Sequence, residues 1–269
     1  MEERPEGNHE FETPTIFSVL NNYYLLFFSA TCVLASVFTQ QFFYLIDQFR
    51  LGISAGPIIG IILPVYLITR RFPSGFKSQL RIKPLRPVPT ACVIVATLAV
   101  VVLVDFIYFH SQRFMPVPTD YIEGLKELKP TGWLAVAVTF AGLCIVVPIA
   151  EEIIFRGVVQ RVFCRNMHPV FAVVLAGILF GVVHLTPQLL PSMIFFGIYV
   201  GYLYFATANL TYTMLAHGLL NTTAFVQLVF STEEQLSAMP MYVRNPMVVG
   251  ASFVVLALLV VRIRKGGLE

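Results

Sequence analysis

Trp133–Phe163 reads WLAVAVTFAGLCIVVPIAEEIIFRGVVQRVF. The part from Trp133 to Ala150 carries no charge, yet it runs into Glu151, Glu152, Arg156 and Arg161 without a turn signal. A helix rises ~1.5 Å per residue and needs about 20 residues to cross the ~30 Å hydrocarbon core of a bilayer. The stretch therefore predicts one long, tilted membrane helix with charged groups partway along it.

The rest of the chain agrees. Of 269 residues, 57% are hydrophobic and only 12% charged, about half the charge of an ordinary soluble domain. Mean hydropathy is +0.78. These values exclude a disordered protein, a disulfide scaffold and a typical cytosolic enzyme. A net charge of +3 argues against a nucleic-acid partner. Cys32, Cys92, Cys144 and Cys164 lie far apart in apolar stretches, with no C-x-x-C pair, and read as packing residues.

Apolar runs near residues 24–46, 51–69, 90–109, 133–163, 170–190, 191–207, 210–230 and 246–262 predict an all-α polytopic bundle of about eight transmembrane helices. The break between the fifth and sixth is marked by Pro187 and Pro191. Residues 1–22 are expected as a cytoplasmic N-terminal tail, 23–263 as a single transmembrane domain with its motif-bearing core at 133–230, and 264–269 as a cytoplasmic C-terminal tail. The acidic MEERPEGNHEFE start lacks the order of a cleaved signal peptide, so the first span is expected to act as an uncleaved anchor. Most of the 18 Lys and Arg fall on one side of this threading: Arg4, the loop from Arg70 to Arg86, the Arg156–Arg165 end of the fourth span, and Arg262–Lys265. By the positive-inside rule both termini are then cytoplasmic. The expected membrane is the cell inner membrane or the endoplasmic reticulum. Gly56/Gly60, Gly177/Gly181 and Gly197/Gly201 form G-x-x-x-G steps suited to close helix contacts.

A charged group at a helix centre costs roughly 2.5–3.5 kcal/mol on insertion scales, so Glu151, Glu152 and Arg156 need partners or a wet cavity. Glu152 and Arg156 are i, i+4 and can pair. Glu151 points elsewhere, free to face a cavity as a general base. Phe180 and His184 in FGVVH, and His217 and Asn221 in HGLLN, are further i, i+4 pairs. His217 and Asn221 can act as fixed hydrogen-bond donors of an oxyanion hole, with His184 a second proton-handling group. Two histidines and a glutamate could instead bind zinc, although H-E-x-x-H is absent. Asp105 sits near the outer end of the third span and reads as interfacial.

The ordered set EEIIFRG from Glu151, FGVVH ending at His184, and HGLLN from His217 resembles the CAAX-protease and bacteriocin-processing (CPBP, or Abi) family of glutamate intramembrane proteases. The similarity covers about residues 133–230. It implies an intramembrane endopeptidase, of the CAAX prenyl protease type, with a cavity open to the cytoplasm and no metal cofactor. Glu151 and His184 would activate a water, and His217 and Asn221 would stabilise the oxyanion. Glu152, Arg156 and Phe180 would support the site or position substrate. The implied partners are the lipid bilayer and a membrane-tethered or prenylated peptide. The alternatives are a zinc-dependent membrane protease, a non-catalytic bacteriocin-immunity or scaffold protein, and a proton-coupled transporter. No internal repeat favours the transporter.

Overall fold

The structure is a computed structural model that describes residues 15–232 and 241–264, the side chains of 241 and 261–264 excepted. Most of the expected N-terminal tail and residues 265–269 lie outside the described residues. All regular structure among the described residues is helical: α1 (Ile16–Val19), α2 (Asn22–Leu45), α3 (Phe49–Thr69), α4 (Gly75–Gln79), α5 (Pro87–Ser111), α6 (Thr119–Leu128), α7 (Trp133–Asn166), α8 (Pro169–Val182), α9 (Pro187–Thr207), α10 (Leu210–Phe230), α11 (Met241–Arg244) and α12 (Pro246–Arg264).

Six of these, α2, α3, α5, α7, α9 and α10, are long and apolar enough to span a bilayer, and α8 and α12 are shorter apolar helices. Phe27, Phe38 and Leu34 on α2 are 74%, 71% and 57% exposed. Such a surface is stable against lipid and not against water. This is a polytopic integral membrane protein.

The expected run 170–190 breaks early. Its helix stops at Val182, because Leu185 turns left-handed (φ 51°) and Thr186 is extended (φ −122°, ψ 89°) ahead of Pro187. A residue before proline is pushed out of the helical region, which sets the boundary. Pro191 instead lies in the first turn of the α-helical part of α9, which begins at Leu190 after a 3-10 turn, and its missing N–H is tolerated there. At 14 residues, α8 is only ~21 Å long, so it ends within the depth of the bundle.

By contrast, α7 runs unbroken for 34 residues, ~51 Å. It contains two π-helical segments, Ala141–Val146 and Phe155–Val159. The expected N-terminal tail includes a packed element. Thr15 and Ser18 close a capping box on α1, and Ile16 and Phe17 bury against Leu25, Val158 and Val162. Asp105, half-buried on α5, accepts hydrogen bonds from Tyr242 of α11 and Gln227 of α10. It tethers α11 to α5 and α10.

The three glycine steps all sit at close backbone approaches. A Cβ on Gly177 would lie 2.7 Å from the Ile198 nitrogen, and one on Gly197 would lie 2.8 Å from the Gly177 oxygen. A Cβ on Gly60 would overlap the Ser36 backbone of α2, whereas one on Gly124 of α6 meets nothing. Gly60→Ala is therefore expected to destabilise the detergent-solubilised protein by at least about 1–3 kcal/mol, the usual cost of overpacking. Gly124→Ala should be neutral or slightly stabilising. Thermal unfolding of the two variants side by side checks this.

Candidate active site

The site is built on α7, where three charged groups lie within two helical turns. Glu152 and Arg156 form the ion pair that their spacing predicts, Oε1 to Nη1 at 2.9 Å, with both side chains fully buried. An isolated buried guanidinium would be very costly, and the surroundings explain how it is held. Its Nη2 donates to the Gly197 carbonyl at 3.0 Å, and its Cζ lies 4.5 Å from the Phe180 ring centroid. One turn further on, Gln160 donates to the Gly201 carbonyl at 2.8 Å. The i, i+4 glycines of α9 thus serve i, i+4 side chains of α7, since no side chain screens their carbonyls.

His217 of α10 bridges the two carboxylates. Its Nδ1 is 2.9 Å from Glu152 Oε1, and its Nε2 is 3.8 Å from Glu151 Oε2. An ionised carboxylate only accepts, so Nδ1 carries a proton towards Glu152, and Nε2 is the ring nitrogen that faces Glu151. The imidazole is fixed between the rings of Phe180 and Phe196, at centroid distances of 5.6 and 5.3 Å. Glu151 is 24% exposed, yet its Oε2 is buried and makes no hydrogen bond. Among the described residues, His217 is the only cation-forming group within 4.0 Å of it.

His184 lies in the turn after α8 rather than on the helix itself. Its Nδ1 donates to the Phe180 carbonyl at 2.7 Å, so Nε2 is the acceptor in the neutral ring. Its ring centroid is 4.9 Å from that of Phe180, so Phe180 touches both imidazoles. No ion pair joins His184 to Glu151.

Asn221 differs from the free donor expected of it. Its Nδ2 donates to the Leu143 carbonyl of α7 at 2.8 Å. In the π segment the Val147 N–H bonds to Gly142 O, so the next i+5 donor for Leu143 O would be residue 148. That residue is Pro148, which has no N–H. Asn221 fills the vacancy with one amide hydrogen, and the second hydrogen remains for another acceptor.

Sequence reasoning missed Pro148, Leu143, Gly197 and Phe196. A proline inside an otherwise unbroken apolar helix, five residues after a leucine, is the one local signal of the freed carbonyl. Gly197 was visible only as half of a packing step, and Phe196 carried no signal. Among the described residues, no three His, Cys, Asp or Glu side chains cluster as a metal site.

Residues 132–223 match the family model described as type II CAAX prenyl endopeptidase Rce1-like. The motif-bearing segment is similar to that family over about a third of the chain. Glu151, Glu152, Arg156, Phe180, His184, His217 and Asn221 all fall inside this Rce1-like segment, whereas α1 to α6 and α11 to α12 lie outside it. No curated protein and no solved structure matches the chain.

Pro148 and Asn221 should be energetically coupled. Asn221→Ala strands a carbonyl and is expected to cost about 1–3 kcal/mol. In a Pro148→Ala background the restored N–H can serve Leu143, so the cost of Asn221→Ala should shrink by more than half. A double-mutant cycle by thermal or denaturant unfolding measures this coupling. Additive costs would show that proline and asparagine do not share the carbonyl.

Proposed function

We propose that the protein is a metal-independent intramembrane endopeptidase that cleaves a membrane-tethered, CAAX-type peptide. The observation that carries this reading is the Glu151 carboxylate, buried at Oε2, without a hydrogen bond, and 3.8 Å from His217 Nε2. A carboxylate held in that way is suited to take a proton from water. The likeness of the same segment to the prenyl endopeptidase family supports this substrate class.

In this mechanism Glu151 removes a proton from a water as its oxygen attacks the scissile carbonyl. His184 presents its Nε2 lone pair as a second acceptor for that water. The proton on Glu151 passes to His217 Nε2, and the imidazolium formed is stabilised by the Glu152 carboxylate on Nδ1. That Nε2–H and the second amide hydrogen of Asn221 donate to the oxyanion. The proton then goes to the leaving amine as the C–N bond breaks, and the products are a carboxylate and an amine. Arg156 acts through Glu152, and Phe180 acts by fixing both imidazoles.

We place residues 23–263 in one transmembrane domain, with the Arg156–Arg165 end of α7 and both termini towards the cytoplasm. The excess of Lys and Arg at that end supports this orientation.

Glu151→Gln keeps the shape of the side chain but removes the base, and is expected to lower peptide cleavage at least about 10²-fold. Its unfolding midpoint should stay near that of the parent, because Oε2 makes no hydrogen bond. Cleavage of prenylated and unprenylated CAAX peptides by purified protein, with and without a chelator, is the test. Wild-type turnover by Glu151→Gln would remove the base assignment. Loss of activity with chelator, restored by zinc, would replace the mechanism with a metal one.

A further inference from the structure

A cavity of about 420 Å³ opens at the Arg-rich end of α7, on the far side of Gln160 from the hydrolytic groups. Arg81, Arg161 and Arg165 line it, together with Phe17, Tyr204 and Phe205. The three guanidiniums come from separate parts of the chain: the loop after α4, and two successive turns of α7. They are close enough for Arg161 to feel both of the others as like charges. Among the described residues, none of the three has a carboxylate within 4.0 Å.

Like charges repel, and this fold holds them together by other contacts. Arg161 donates to the Gln79 carbonyl, and its Cζ lies 3.6 Å from the Phe17 ring centroid. Arg165 stacks over the same ring at 5.4 Å. The backbone of Arg81 is left-handed (φ 57°), and its carbonyl accepts from the Leu210 N–H at 3.0 Å. Its side chain therefore leaves an anchored backbone. The basic loop 70–86 is expected either to attract anionic lipid or an acidic tail or simply to carry the positive-inside charge, but orientation does not require one of its arginines to meet two from α7 around a cavity.

We propose that this cavity binds the phosphate of an anionic phospholipid headgroup. Arginine forks match phosphate oxygens in pairs. Basic pockets between membrane helices on the cytoplasmic side are suited to such headgroups. The lipid source is favoured by the walls: Phe205 is 52% exposed on α9 and gives the glycerol and upper acyl chain an apolar surface beside the arginines. A free inorganic phosphate would leave that surface unused.

The test uses the purified full chain in neutral detergent. Unfolding midpoints are measured against short-chain phosphatidylglycerol, phosphatidylcholine with the same acyl chains, and inorganic phosphate. Phosphatidylglycerol is expected to raise the midpoint by several degrees in a saturable manner, and the other two are expected not to. Arg81→Gln/Arg165→Gln should lower the apparent affinity at least tenfold, and Arg165→Gln alone should lower it measurably. Arg70→Gln/Arg71→Gln removes the same charge from exposed positions outside the cavity and should leave the response intact. An equal loss in that control would overturn the site in favour of general surface charge. An equal response to phosphatidylcholine would overturn the anionic headgroup, and an equal response to inorganic phosphate would overturn the lipid assignment.

Discussion

The guanidinium of Arg156 is buried in the middle of an apolar bundle, and it must be neutralised there. Removing one partner from such a pair costs about 3–5 kcal/mol, because the remaining charge stays in low dielectric. The bundle meets this demand from three directions. Glu152 supplies the counter-charge, the Gly197 carbonyl of α9 accepts a second hydrogen bond, and the Phe180 ring of α8 covers the cationic face. Glu152 in turn orients His217 of α10. One buried charge thus sets the relative positions of four helices, and the pair left at its edge, Glu151 with His217 Nε2, inherits a fixed geometry.

The same helix also departs from ideal geometry where it meets α10. A π segment followed by Pro148 frees the Leu143 carbonyl, and Asn221 occupies it. Gly218, next to His217, lets α10 approach closely: a Cβ there would lie 2.9 Å from the Cys144 oxygen. The deviation of α7 and the glycine of α10 bring the backbones together, and so place His217 over the two glutamates. Local irregularity of this kind is common near functional residues.

How much of this was legible in the sequence depends on the range of the interaction. Hydropathy located α7, α10 and the other long spans because a 20-residue apolar run has few alternatives in lipid. Helical periodicity identified Glu152 with Arg156, because that pair lies within one helix. The end of α8 was placed too late, since Pro187 rather than Pro191 imposes the boundary, through Leu185 and Thr186. Contacts between helices were not legible. Nothing local says that Gly197 and Phe196 face Arg156 and His217. Nor does i, i+4 spacing reveal that His217 and Asn221, although on one face, each already have a partner on α7. The Arg81, Arg161 and Arg165 cluster was hidden for the same reason, as 80 residues separate its first two members.

The account rests on an ionised Glu152 that holds His217 with its proton on Nδ1. Nitrogen-15 NMR of the His217 ring, in labelled protein at neutral pH, reads this directly. We predict a hydrogen-bonded Nδ1–H with Nε2 unprotonated in the resting protein, and loss of that preference in Glu152→Gln. A resting ring protonated only on Nε2 would contradict the arrangement and leave Glu151 without an acceptor for its proton.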